Sequence, residues 1–391
     1  MKRLLCIIII LCAIVPAFTQ DIDHLIATIE QNNTTLQVLR KATDAEQLAA
    51  RAEVGLPDPE VGYNYLWGNP SEIGMRHDIT VTQTFDAATL GGQRQRVAHS
   101  RGQVLEHQYR AERTAILLDA RQHLVDLVYC NAMLALSERR LSDASTLLDT
   151  QQRRLETGDG TLLDLNNARL SRASLQARHE QLQAERNALL AQLKQLNGGQ
   201  DIATPGTYPH TPLPQDFEAW YAEYAAHSPL LAEAAADVEL SHRLLSLSRA
   251  ECLPALTVGY MSEKTDGEHY HGITAGLSIP LWSGRSKIRQ AKAGIAAAEA
   301  RQQDVAMQLR ARFHALHQQA LSLQRTAVSY RNAVTAADNT PLLHRALETG
   351  QIALPEYLQQ LTLVYDAQDQ ALAAERDFQH AVAELYAWTA Q

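Results

Sequence analysis

The chain has 391 residues, a formal net charge of −9 and only 6% aromatic residues. The acidic balance excludes the basic footprint of a nucleic-acid-binding protein. Sparse Gly, Pro and aromatics beside abundant Ala, Leu, Gln and Arg describe long helices.

At the N-terminus, Lys2 and Arg3, an apolar run from Leu4 to Val15, and Pro16-Ala17-Phe18-Thr19 read as a secretory signal over residues 1–19. Cleavage near Ala17 or Thr19 would start the mature chain close to Gln20. Neither that run nor any later segment reaches the roughly 20 apolar residues of a membrane-spanning helix. Cys6 and Cys12 lie inside the signal without the small preceding residue of a lipid-modified cysteine, so no lipid anchor is expected. Cys130 and Cys252 read as two separate buried thiols.

The rest of the chain is one unit written twice. Leu155-Glu156-Thr157-Gly158 recurs as Leu347-Glu348-Thr349-Gly350, 192 positions later. Leu162, Asp164 and Leu165 follow the first motif at the offsets where Leu354, Glu356 and Tyr357 follow the second. Upstream, Leu56-Pro57 with Gly62-Tyr63 matches Leu253-Pro254 with Gly259-Tyr260, and His77-x-Ile79-Thr80 matches His271-x-Ile273-Thr274. The first copy occupies 20–196 and the second 216–391. Between them, Asn197-Gly198-Gly199 stops a helix, and the proline-bearing stretch 197–215 is a linker.

In chain order the first copy predicts a helix from Asp23 to Val54, strands at 58–67 and 77–86, and helices at 92–155 and 162–196. The second predicts a helix from Phe217 to Glu251, strands at 255–262 and 271–281, and helices at 285–347 and 354–388. Pro57 and Pro254 end the leading helices, because proline lacks the amide a helix needs. Each strand alternates. Val61, Tyr63, Tyr65, Ile79, Val81, Phe85, Leu256, Val258, Tyr260, Ile273, Leu277 and Ile279 form apolar faces, opposite Thr80, Thr82, Thr84, Thr257 and Thr274. Strands of that length, greasy on one face and wet on the other, suit a lipid-exposed barrel wall. A soluble hairpin packed on a helix competes for either pair taken alone.

Four strands do not close a barrel, since about eight are needed, and open edges in lipid strand unpaired backbone groups. Strands of this kind therefore require oligomerisation, and three copies supply twelve strands. The helix predicted at 92–155 would be roughly 95 Å long, the scale of a periplasm. Leu175, Leu182, Leu189 and Leu196 repeat at heptad spacing in its return partner, a coiled-coil seam. The fold class expected is a mixed α and β membrane protein with duplicated strand hairpins and long coiled-coil helices. Gly158 and Gly350 mark the tips where the chain reverses.

These features resemble the TolC-type outer-membrane efflux proteins, including the branch typified by CusC and CzcC. The resemblance rests on Leu155-x-x-Gly158 through Asp164-x-x-Asn167-Ala168-Arg169, on Leu347-x-x-Gly350 through Glu356, and on Ile279-Pro280-Leu281-Trp282-Ser283-Gly284. It implies a homotrimer in the outer membrane of a Gram-negative bacterium, with a twelve-stranded β-barrel continued by an α-helical periplasmic tunnel. It also implies a periplasmic adaptor protein and an inner-membrane pump of the RND type, docked at tips formed by Leu155, Gly158, Leu162, Leu347, Gly350 and Leu354. Asp164 and Glu356 would line the periplasmic constriction, with Gln359 where the best-known member has another acid. Leu347 and Ile352 stand where that member carries a Tyr and an Arg that tie its closed state, so any latch here is built differently. An exit duct for type I protein secretion would share the fold, and a soluble periplasmic coiled-coil scaffold is the reading from a different class.

Asp164 and Glu356 have a second explanation, as residues that cap or solvate the first helical turn after each tip. Asp266, Glu268, His269 and His271 cluster between the second pair of strands. Imidazole and carboxylate are natural metal ligands, yet a polar loop facing the outside of the cell explains the cluster equally simply, and His314 with His317 is no stronger. No metal or cofactor is expected. No phosphate loop, zinc-helix motif, dinucleotide turn or nucleophile elbow is present, so no enzymatic activity is expected either.

Overall fold

A computed structural model describes residues 21–265, 267–282 and 284–388, the side chain of Ser71 excepted. The signal segment 1–19, Asp266 of the polar loop and Ser283 of the hairpin-to-helix motif lie outside the described residues. No described helix is long and apolar enough to cross a membrane.

The element order repeats. The first copy comprises α1 (Ile22–Asn32), α2 (Thr34–Ala52), β1 (Glu60–Trp67), β2 (Met75–Phe85), the short α3 (Ala87–Leu90), α4 (Gln93–Thr157) and α5 (Leu162–Leu196). The second comprises α6 (Phe217–His227), α7 (Pro229–Ala250), β3 (Ala255–Thr265), β4 (His269–Ser278), α8 (Gly284–Ala336), α9 (Thr340–Glu348) and α10 (Leu354–Tyr386).

Three helices expected to be continuous are broken. Asn33 leaves the first one with an extended backbone, φ −66° and ψ 114°. Its side-chain amide donates to the carbonyl of Leu196 at 2.8 Å, satisfying one of the carbonyls that α5 leaves unpaired at its end. Ser228 breaks the leading helix of the second copy because Pro229 opens α7 and has no amide to donate. The helix expected at 285–347 stops at Ala336 and restarts as α9, with Pro341 in its first turn. The ring of Pro341 clashes with a helical carbonyl four residues back, at Ala337, so the helix cannot run through. The strand ends shift as well: β4 finishes at Ser278, leaving Ile279 past the ladder and before Pro280.

The chain folds as two compact units, and neither coincides with a sequence copy. One comprises residues 21–33, 119–212 and 323–380, the other 34–118, 213–322 and 381–388. In the first unit Leu124, Leu127, Cys130 and Met133 of α4, Leu182 and Leu193 of α5 and Phe378 of α10 are buried. Cys130 is a free thiol whose Sγ lies 3.4 Å from the Leu182 carbonyl, and burial pushes its pKa up.

In the second unit Trp220 and Tyr224 of α6 pack on Phe313 of α8, with ring centroids 4.4 Å apart for Tyr224 and Phe313, and Phe217 packs on His314 and His317. The ring of His317 donates through Nε2 to the Pro214 carbonyl at 2.8 Å, tying the end of the linker to α8. This unit also carries the sheet, whose strands run antiparallel in the order β1-β2-β3-β4.

Candidate functional site

Residues directly paired across strands share a face of the sheet. Val61 pairs with Val81, Val81 with Tyr260 and Tyr260 with Ile273, giving one apolar row across all four strands. Phe85, Leu256 and Leu277 form a parallel row nearer the helices, and Tyr63 and Ile79 one nearer the hairpin loops. Tyr65 and Val258 lie on the same face. Of these residues only Phe85 is half-buried; the others are exposed, up to 84% for Ile273. A patch of this extent on one face of a sheet marks a surface made to be covered. Trp67 at the hairpin end and Trp282 beyond β4 are also exposed, at 76% and 88%. Trp67 continues the alternation of Val61, Tyr63 and Tyr65 along β1, and indoles at both ends of an apolar band are the usual interface anchors.

The opposite face is polar and close-packed. Glu60, Thr82, Gly259 and Thr274 form one row, and Thr84 and Thr257 bond hydroxyl to hydroxyl at 2.9 Å. A Cβ at Gly259 would lie 2.7 Å from Thr274 Oγ1, Thr82 Cγ2 and the Val81 carbonyl, so only glycine fits there. The outer edges of β1 and β4 have no strand partner among the described residues.

The helical tips lie in the other unit. Each reverses through the same turn: Asp159 N–H donates to Arg154 O at 2.8 Å around Gly158 (φ 81°), and Gln351 N–H to Ala346 O at 2.8 Å around Gly350 (φ 71°). That 6→1 bond around a left-handed glycine closes the last helical turn. Beyond the first tip, Thr161 and Asp164 form a reciprocal cap: Asp164 N–H donates to Thr161 Oγ1 at 3.1 Å, and Thr161 Oγ1 donates to Asp164 Oδ2 at 2.6 Å. Asp164 is therefore engaged in capping α5, while Glu356 and Gln359 are exposed on α10. No hydrogen bond or ion pair joins Asp164 to Glu356 among the described residues. Leu155 and Leu347 are partly buried, Leu162 is exposed, and Leu354 is buried.

Leu354, Tyr357 and Leu361 of α10 form a buried cluster against Leu147, Leu343, Leu347, Ile352, Leu358 and Tyr365. Burial pushes the Tyr357 phenol above its ordinary pKa, and that of Tyr365 up to about 12. Above this cluster sits a residue that sequence reasoning missed. Arg140 of α4 is buried, its guanidinium lies 4.2 Å over the Tyr365 ring, and it donates to Tyr365 O at 3.2 Å and Gln368 Oε1 at 3.0 Å. Its Nη2 also stands 2.8 Å from Asp369 Oδ1 as an ion pair. Local pattern gives no hint of this contact, because its partners lie more than 200 residues away.

The acidic and histidine side chains do not assemble a metal centre: no group of three or more His, Cys, Asp or Glu among the described residues could hold one.

Residues 220–391 match the family described as Outer membrane efflux protein. No curated protein matches the sequence. A membrane protein from Pseudomonas aeruginosa superposes with a TM-score of 0.78 at 17% identity, over 94% of this chain and 90% of its own. VceC, an outer membrane protein of Vibrio cholerae, gives 0.75 at 15% identity, over 94% and 96%. The CmeC outer membrane channel of Campylobacter jejuni gives 0.72 at 14% identity, over 94% and 85%. At such identities the likeness is one of fold.

Proposed function

We propose that this chain is one subunit of a trimeric outer-membrane efflux channel of a Gram-negative bacterium. Three four-stranded sheets close one twelve-stranded barrel, and the helices of three copies form a tunnel into the periplasm. The carrying observation is the sheet: a wide exposed apolar face, a polar opposite face, and two outer strand edges with no strand partner among the described residues. In lipid such edges cost several kcal/mol for each unpaired backbone group, and neighbouring copies remove that cost. The barrel supplies a water-filled path and no energy, so transport is driven by an inner-membrane RND-type pump through a periplasmic adaptor docked at the tips. The branch typified by CusC and CzcC, whose motifs this sequence resembles, suggests drugs or metal ions as cargo.

A ring of three Asp164 and three Glu356 would form a cation-attracting constriction at the periplasmic entrance, with Asp164 serving the cap as well. Replacing both by Ala should lower cation selectivity; unchanged selectivity and conductance would reject the ring. The assignment as a whole is tested by fractionation. A channel stays in the outer-membrane fraction and is extracted as a detergent-stable trimer. A periplasmic scaffold leaves with the soluble fraction.

A further inference from the structure

Charge is sorted by face across the four strands. Their carboxylates, Glu60, Asp78 and Glu263, all lie on the polar face. The one arginine there is held between two of them: Arg76 Nε stands 2.9 Å from Asp78 Oδ1 and 3.0 Å from Glu263 Oε1. Glu268, in the loop before β4, accepts from the Tyr270 hydroxyl, and Tyr270 belongs to the polar face too. Every other basic or imidazole side chain of the strands, namely His77, Lys264, His269 and His271, lies on the apolar face.

These four are also confined to one end. The register sets Tyr65, His77, Lys264 and His269 in a single cross-strand row beside the hairpin loops, with Ser262 and His271 in the next. The rows toward the helices, from Val81-Tyr260-Ile273 to Phe85-Leu256-Leu277, contain no charge. His77 Nδ1 is 2.8 Å from the Tyr63 hydroxyl and His269 Nε2 is 2.9 Å from Ser262 Oγ, so both rings are oriented along the strip. Lys264 is exposed and has no ion-pair partner among the described residues.

A lysine facing lipid costs about 2–4 kcal/mol at the midplane of a bilayer and close to nothing at the interface. Its row therefore belongs at the headgroup level, next to Trp67. There an ammonium and a line of imidazoles, with the carboxylates turned to the other face, meet one abundant complementary group, which is phosphate. We infer that the row Tyr65-His77-Lys264-His269, with His271 beside it, binds the phosphate groups of lipids in the leaflet facing the outside of the cell. The inference rests on the apolar face being the lipid-facing one, as proposed above.

The test uses the purified full-length chain, reconstituted into phosphatidylcholine vesicles doped with either bisphosphorylated lipid A or its dephosphorylated form. Retained glycolipid is counted by mass spectrometry after transfer to detergent. The wild type should retain the phosphorylated form selectively. A K264Q/H269Q/H271Q variant should lose about fivefold or more of that selectivity, the scale of one lysine near an anionic surface. Equal retention of the two glycolipids by the wild type, or undiminished selectivity in the variant, overturns the inference while leaving the channel intact. Displacement of the lipid by millimolar inorganic phosphate also overturns it, since the site would then serve a free anion. A chain that enters neither kind of vesicle overturns the channel reading itself.

Discussion

The two helical hairpins of the tip-bearing unit use the same turn and hold it in opposite ways. The arm leading to Gly158 belongs to the uninterrupted α4, and the turn is secured by the Thr161–Asp164 cap, with Leu162, Leu163 and Leu170 left exposed. The arm leading to Gly350 is only α9, nine residues cut off from α8 by residues 337–339. What holds it is the cluster around Tyr357. Duplication has thus produced one tip fixed by local hydrogen bonding and backbone continuity, and another fixed by side-chain burial beside a break. A side-chain core can be loosened without unfolding a helix, and this makes the second tip the more easily loosened of the two.

Truncating the core should separate the two tips most strongly. Tyr357→Ala is expected to cost about 3–5 kcal/mol, as for other buried aromatic side chains. In hydrogen exchange of the detergent-solubilised protein, residues 340–361 should lose protection while residues 150–170 keep theirs. Equal loss at both tips would contradict the comparison.

Arg140→Ala comes next. It removes the cation from Asp369 and from the face of Tyr365, at a cost of about 1–3 kcal/mol because Asp369 is one-third exposed. The loss should again fall on α10 and spare α5. Thr161→Ala has the smaller, mirror-image effect: about 1 kcal/mol for a lost cap, confined to the start of α5.

Alkaline pH reaches the second tip without a mutation. The folded-state pKa of Tyr365 is raised from 10.0 to about 12 because burial disfavours the phenolate. Its contribution is whole below pH 10 and is lost as the pH rises from 10 through 12. Protection of 340–361, taken relative to the hydroxide-catalysed intrinsic rate, should therefore fall across that window, with that of 150–170 falling only later.

The sequence made some of this readable and hid the rest for identifiable reasons. Gly158 and Asn197-Gly198-Gly199 bracket α5, since left-handed glycines stop helices whatever surrounds them. The alternation of Val61, Tyr63 and Tyr65 against Gly62 and Asn64 exposes the strand period directly. The break at Asn33 is different, because its cause is a carbonyl 163 residues away. Pro229 and Pro341 were in plain view, but a proline in a first helical turn interrupts nothing unless helix precedes it, and a surrounding run of helix formers masks that condition. At the first tip the family resemblance puts Asp164 forward for a constriction and the helix start offers a cap instead; the Thr161–Asp164 hydrogen bonds show the cap. Arg140 was hidden altogether, since nothing local distinguishes an arginine that α10 will bury from its exposed neighbour Arg139.

The central claim is that the four strands are one third of a lipid-embedded cylinder. Planar-bilayer recording on the purified full-length chain, with its mass in detergent measured in parallel, addresses that claim directly. Discrete, stepwise conductance from a species of three subunits is the predicted result. A monomer that leaves the bilayer electrically silent would contradict it.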